Sequence, residues 1–228
     1  MITDECKIYS NVFIKKIIED DFIQGMVTDT LSFEAISHYL KADAIYLEKF
    51  SDIYAQLFAK VSDKTTKKFF LNQIEFIFEH EIEAHRYLAQ VVGKDYHEIV
   101  MDKDCYPSAD HYIKHLYYHL NCNQLVYILA AMLACPWIYQ QVAKRVLGGG
   151  KITADNSFKK WFDFYANNTI AEDCLSVYFD LLEKYSQHLT DKERKKVIRV
   201  FLESCQHERL FFQMAVNQEE WPKEVRNV

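Results

Sequence analysis

Three side chains that could perform chemistry, Asp43, Cys135 and Glu208, each lie in the middle of an apolar helical stripe. The apolar residues around each of them recur every three or four positions, which is the spacing of one helix face. A buried carboxylate is costly unless it is paired, and a buried cysteine is commonly an inert small hydrophobe, so each residue alone could be structural. If the three stripes face one core, however, they converge on a polar cavity lined by aromatic side chains.

Such a cavity would suit nucleophilic catalysis by a thiol. The thiolate is the attacking form of cysteine, so Cys135 needs a group that takes its proton. Burial would raise the pKa of Glu208 and allow it to donate and accept protons near neutral pH. The second carboxylate, Asp43, would then hold a ligand, although it could equally be a structural residue that a tyrosine or a backbone group satisfies.

A proline directly follows the cysteine, inside the apolar stretch that precedes Gln140. Proline within a helix lacks an N–H group and clashes with the carbonyl four residues earlier, at a cost of roughly 3 kcal/mol. We therefore expect Pro136 to bend this helix so that the sulfur of Cys135 faces a cavity.

The elements that must position these residues are all predicted to be helices. Half of the 228 residues are hydrophobic, and the chain has only five glycines and three prolines. Periodic apolar segments and capping signals predict one all-α domain over residues 1–228, a bundle of seven or eight helices. The predicted helices cover about 6–19, 32–61, 62–92, 107–121, 123–147 with Asn123 as its cap, a stretch around Trp161, 173–188 and 190–216.

Charge and cysteine usage exclude several classes of protein. The net charge is −6 and no stripe of lysine and arginine is present, so we expect no nucleic-acid partner. The apolar run before Gln140 is too short to span a bilayer, and the first residues lack the pattern of a signal peptide. The six cysteines are scattered without CxxC pairs, which favours reduced thiols in the cytoplasm over a disulfide framework or a zinc site.

Five short motifs, in order along nearly the whole chain, resemble those of the TenA family, the thiaminase II enzymes. The C-x-W-x-Y pattern fits residues 135–139, D-x-x-Y-L fits 43–47, and E-x-x-F-x-x-M-A fits 208–215. Tyr112 lies in a segment that supplies another family tyrosine, and W-x-x-x-Y fits 161–165. Each motif is weak alone, but the order and spacing of the five are specific.

This resemblance implies a bundle of the haem-oxygenase type that is used without haem. It implies hydrolysis at the methylene of a 4-amino-2-methylpyrimidine, with 4-amino-5-aminomethyl-2-methylpyrimidine or thiamin as the substrate. The product would be the hydroxymethylpyrimidine that feeds thiamin salvage. No metal or organic cofactor is implied, and the expected assembly is a homotetramer.

The resemblance also implies a role for each residue of the site. Cys135 would be the nucleophile, Glu208 would move protons, and Asp43 would hydrogen-bond the aminopyrimidine edge. The remaining substrate-binding residues are four tyrosines that would supply hydrogen bonds and one phenylalanine that would stack on the ring: Tyr46, Tyr112, Tyr139, Tyr165 and Phe211.

Two other functions stay open at this point. Glu81-x-x-x-His85 and Glu203-x-x-x-His207 each place a carboxylate and an imidazole one helical turn apart, as in di-iron helical oxidases. Such pairs are usually surface neighbours. We likewise interpret three histidines that recur every four residues, His111, His115 and His119, as an ordinary helix face. The chain could also be a non-enzymatic regulator that binds thiamin or a pyrimidine.

Overall fold

The structure, a computed structural model, describes residues 1–122 and 124–226, and every regular element in these ranges is a helix. This confirms the predicted all-α class. A π-helical segment, Ile77–Glu81, lies between α4 and α5. The α-helices are α1 (Ile2–Glu19), α2 (Asp21–Val27), α3 (Phe33–Lys60), α4 (Lys64–Phe76), α5 (Ile82–Val92), α6 (Tyr96–Val100), α7 (Pro107–Leu120), α8 (Leu125–Gly148), α9 (Lys159–Asn167), α10 (Thr169–Ser186), α11 (Asp191–Asn217) and α12 (Lys223–Arg226).

The long helices begin and end where local chemistry satisfies their free backbone groups. The Ser32 hydroxyl accepts a hydrogen bond of 3.1 Å from the backbone N–H three residues later, and so caps α3. Thr190 and Glu193 form a capping box at the start of α11. Gly93 ends α5 in the left-handed conformation, with φ of 75°. The predicted cap Asn123 lies outside the described residues.

The predicted helix over 62–92 differs from the structure in its middle. The π-helical segment Ile77–Glu81 interrupts the α-helical hydrogen bonding there. A π-bulge adds a residue to a turn, is rare, and is frequent at functional sites. Hydrophobic periodicity does not reveal it, because the apolar positions on either side still recur at helical spacing.

Helix α8 is the centre of the bundle and packs against α7, α9, α10 and α11. Among the described residues it is the one helix whose length and composition would allow it to cross a membrane, although the apolar run before Gln140 was predicted to be too short to do so. Its most apolar window is 72% buried inside the protein, however, which makes it a core helix. The helix continues through Pro136, and the predicted bend at this residue stays a prediction.

Candidate active site

Cys135 opens onto a cavity between α3, α4, the π-helical segment, α8, α9 and α10. The cavity has about 620 Å³ of empty space, part of it open to solvent, and its wall is mostly apolar. A mostly apolar wall with a few polar side chains is typical of small-molecule sites. The polar side chains of the wall are Tyr54, Gln73, Glu81, Cys135, Tyr139, Gln140, Tyr165 and Cys174.

Glu208 is buried beside this cavity on α11, and its carboxylate is hydrogen-bonded by Tyr112 of α7. The Tyr112 hydroxyl donates to Glu208 Oε1 over 2.6 Å. Burial raises the pKa of Glu208 to about 8, with a further contribution from the charge of Asp43, while the Tyr112 hydrogen bond opposes the shift. A carboxyl group with this pKa can exchange a proton near neutral pH.

The thiol of Cys135 is surrounded by carboxylates. Burial raises its pKa well above the ordinary value, and the charges of Glu208 and Glu81 raise it further. The resting cysteine is therefore a thiol, and its proton has to be removed before the sulfur can attack. The Tyr46 hydroxyl is buried among the same side chains, next to the Tyr112 hydroxyl and the Cys135 sulfur.

Asp43 is paired with a histidine that the sequence analysis did not assign to this site. His85 Nε2 of α5 donates to Asp43 Oδ2 over 2.7 Å, and both side chains are buried. Burial alone would lower the pKa of His85, but the hydrogen bond and charge of Asp43 outweigh it and raise the pKa. The Asp43 carboxylate is thus held in a fixed orientation at the site.

Glu81 is a second residue that the sequence analysis did not place in the active site. It lies in the π-helical segment and lines the cavity, and Tyr165 of α9 donates to its Oε1 over 2.6 Å. Burial raises the pKa of Glu81, against the Tyr165 hydrogen bond and the charge of His85. The Glu81-x-x-x-His85 motif was the only sign of both residues, and here its members contact different partners.

The other predicted residues form an aromatic cluster around these groups. Tyr46 lies 5.0 Å from the Tyr112 ring and 5.6 Å from the Phe211 ring, centre to centre. The Tyr139 hydroxyl is hydrogen-bonded to that of Tyr39 over 2.7 Å. Three of the eight predicted site residues, Cys135, Tyr139 and Tyr165, line the cavity, and the other five are buried beside it.

Comparison with known sequences places this arrangement in context. The family model described as the TENA/THI-4/PQQC family matches residues 11–218. An aminopyrimidine aminohydrolase of Staphylococcus aureus (strain USA300) is 45% identical over 209 residues, which cover 91% of this chain and 90% of the relative.

Comparison with solved structures identifies the fold. A TenA homologue from P. horikoshii OT3 has a TM-score of 0.81 at 18% identity and covers 95% of this chain and 99% of its own. A domain of unknown function with a heme oxygenase-like fold, from Shewanella denitrificans OS217, has a TM-score of 0.70 at 14% identity, over 95% and 92% of the two chains. These similarities confirm the predicted haem-oxygenase-like bundle.

Proposed function

The chain belongs to the TENA/THI-4/PQQC family, and on this premise we propose that it is an aminopyrimidine aminohydrolase of thiamin salvage. The enzyme cleaves at the methylene of a 4-amino-2-methylpyrimidine and releases the hydroxymethylpyrimidine. Its substrates are 4-amino-5-aminomethyl-2-methylpyrimidine, thiamin, or both. The relative from Staphylococcus aureus, an aminopyrimidine aminohydrolase at 45% identity, supports this reaction class.

One observation carries the proposal at the level of the site. A thiol, Cys135, borders both an aromatic cavity and a buried carboxyl group, Glu208, whose pKa is raised to about 8. A nucleophile and a proton-transfer group are therefore adjacent, as covalent catalysis requires. Asp43, fixed by His85, supplies an acceptor for the amino group of a flat, nitrogen-rich ring.

The charge of the substrate helps to prepare the thiol for attack. An aminomethyl group is an ammonium ion at neutral pH, and thiamin carries a positively charged thiazolium. Either cation would enter a site with the carboxyl groups of Asp43, Glu81 and Glu208, and a nearby positive charge favours the ionised form of a carboxyl group. Substrate binding would thus convert Glu208 into a base that accepts the proton of Cys135.

The first half of the reaction forms a bond between Cys135 and the pyrimidine. The sulfur adds to an electron-poor ring carbon, and the displaced electron pair moves to a ring nitrogen, which takes the proton from Glu208. That electron pair then expels the leaving group from the methylene. The carbon–nitrogen bond breaks with both electrons on the departing nitrogen, and the ring keeps a reactive exocyclic methylene.

The second half restores the enzyme. Water adds to the methylene carbon and gives one proton to Glu208. The carbon–sulfur bond then breaks with its electrons on the sulfur, and the ring nitrogen releases to solvent the proton that it gained in the first half, which restores the aromatic pyrimidine. Glu208 then returns the proton to the thiolate of Cys135. Tyr46, with its buried hydroxyl, is placed to hydrogen-bond the ligand or the sulfur, and Phe211 to pack against the ring.

The proposal is tested by replacing the nucleophile. We expect Cys135→Ser to abolish product formation from both substrates, because a serine hydroxyl is a far weaker nucleophile than a thiolate at neutral pH. The fold and pyrimidine binding should persist, since the substitution changes one atom. Product formation is measured by chromatography, and pyrimidine binding by calorimetry.

A matched control is Cys122→Ser, because Cys122 is a free cysteine outside the cavity lining. This variant should keep full activity. Near-normal turnover by Cys135→Ser would contradict the covalent step. A wild-type protein that binds the pyrimidine but hydrolyses neither substrate would instead be a non-enzymatic binder.

We also propose that the enzyme is a cytoplasmic homotetramer. The six cysteines, all within the described residues, form no disulfide bonds, which agrees with a reducing compartment. Exposed apolar side chains on α1 agree with burial of that face between subunits.

A further inference from the structure

A cluster of histidines lies at the seam between α7 and α11, outside the lining of the catalytic cavity. His115 and His119 of α7 and Glu203 of α11 bring three donor atoms to within 4.8 Å of one another. In the sequence, these histidines looked like one face of an ordinary helix. The packing of α11 against α7 supplies the carboxylate.

Two buried imidazole nitrogens in this cluster lack partners. His119 Nδ1 and His207 Nδ1 make no hydrogen bond among the described residues, and the two side chains are only 4% and 8% exposed. A buried polar atom without a partner costs free energy and calls for an explanation. A cation bound between the helices would supply the missing interaction for His119.

The remaining contacts of the cluster leave room for an ion. His115 Nε2 is hydrogen-bonded to Ser204 Oγ over 2.9 Å, which fixes the orientation of the ring. Glu203 Oε1 accepts a hydrogen bond from the exposed side chain of Arg199. The second carboxylate oxygen of Glu203 is therefore available to an ion.

We propose that His115, His119 and Glu203 bind a divalent late transition-metal ion, Zn²⁺ being the one tested first. Two imidazoles and one carboxylate form a common set of protein ligands for zinc, with water in the fourth position. Metal–nitrogen bonds of about 2.0 Å place tetrahedral donor atoms roughly 3.3 Å apart, so the donors must approach one another on binding. Glu203 is only partly buried, and its side chain can rotate to do so.

The ion would fasten α7 to α11 directly behind the catalytic residues. The His207 ring stacks on the Tyr112 ring, with centres 5.0 Å apart and planes 8° apart, and Tyr112 holds Glu208. His207 also contacts the His115 ring at 4.8 Å. The site is therefore a structural clamp, and its existence does not depend on the proposed hydrolase activity.

Metal titration tests the site. Wild-type protein is treated with chelator, and Zn²⁺ binding is measured by calorimetry, with Co²⁺ absorption as a report on the ligands. We expect one ion per chain and a higher melting temperature when Zn²⁺ is present. His119→Gln and Glu203→Gln should each raise the Kd at least about tenfold, because even residues that only support a metal ligand have effects of that size.

The control variant is His188→Gln, since His188 is exposed and outside the cluster. It should bind Zn²⁺ as the wild type does. Glu203 is partly exposed, so Glu203→Gln should fold even if His119→Gln does not, and circular dichroism verifies this for both. Absence of stoichiometric binding, unchanged affinity in Glu203→Gln, or a cobalt–thiolate charge-transfer band would each overturn the proposal.

Discussion

At the scale of single residues, the site is built around groups that stay neutral until a ligand arrives. Burial raises the pKa of both Cys135 and Glu208, so the thiol and the acid are the favoured resting forms. Ionising either group in the empty site would place another negative charge near Asp43 and Glu81. The same arrangement favours a cationic substrate, because its charge offsets the carboxylates that the fold has gathered.

Removing the Tyr112 hydroxyl should shift the pH dependence of catalysis. The Tyr112 hydrogen bond lowers the pKa of Glu208, so Tyr112→Phe should raise that pKa above about 8. Because Glu208 must be ionised to accept the thiol proton, kcat/KM of the wild type should rise with pH through a midpoint near 8. In the variant this midpoint moves to higher pH, and activity falls more at pH 7 than at pH 9.

The matched control for this profile is Tyr165→Phe. Tyr165 donates to Glu81 instead of Glu208, so its loss should change the size of kcat/KM while leaving the midpoint in place. A midpoint that stays put in Tyr112→Phe, or moves to lower pH, would show that Glu208 is not the group observed in the profile.

Sequence reasoning found some of these residues and missed others for a physical reason. Asp43, Cys135 and Glu208 stand out because each is a polar residue on an apolar stripe. Glu81 and His85 do not stand out, since a carboxylate and an imidazole one turn apart are common on exposed helix faces. The burial of His85 depends on how α5 packs against α3, and the position of Glu81 on how the π-helical segment packs, neither of which local spacing encodes.

At the scale of secondary-structure elements, the π-helical segment Ile77–Glu81 places Glu81 in the cavity wall. Because a π-bulge holds one extra residue, removing one residue should return the segment to α-helical geometry. The sequence predicted a helix here because both flanks are periodic, but the extra residue depends on tertiary packing. Pro136, by contrast, is visible in the sequence, and the structure keeps it inside a continuous helix.

Deletion of Glu79 tests the role of this segment. Glu79 is exposed, so its side chain contributes little to packing. Its deletion should let the segment close into an α-helical turn while the flanking helices keep their register, and so displace Glu81, which lies within the segment, from Tyr165. We expect a loss of kcat/KM of at least tenfold with helix content retained by circular dichroism.

The control is Glu79→Ala, which keeps the length of the segment and should keep full activity. Full activity in the deletion variant as well would show that the π-helical geometry does not matter for the site.

At the scale of the whole molecule, residues from separate helices have to converge. Cys135 comes from α8, Glu208 from α11 and Asp43 from α3, and all three helices pack around the same core. Amphipathic stripes predict that each helix has a buried face, yet they do not specify which helices are neighbours. The resemblance to a known family supplied that order, and a single domain over residues 1–228 remains a prediction.

The outer face of α1 should form part of the subunit interface of the proposed tetramer. Ile8, Tyr9 and Val12 lie close together on one side of α1 and are 63%, 49% and 51% exposed, while the opposite side packs on α11 and α10. Adjacent exposed apolar side chains are typical of an interaction surface. An Ile8→Glu/Val12→Glu double variant should therefore dissociate, because charged side chains would be buried without partners.

Light scattering would measure this dissociation. The wild type should have a mass close to four times the 27.1 kDa of one chain, and the double variant a smaller multiple. Met101→Glu is the matched control, since Met101 is an 81% exposed apolar residue away from α1, and it should leave the mass unchanged. A wild-type mass of one chain would contradict the tetramer, and an unchanged mass in the double variant would place its interface elsewhere. Because the proposed catalytic residues Cys135 and Glu208 both come from one chain, the dissociated variant should retain hydrolysis at each site.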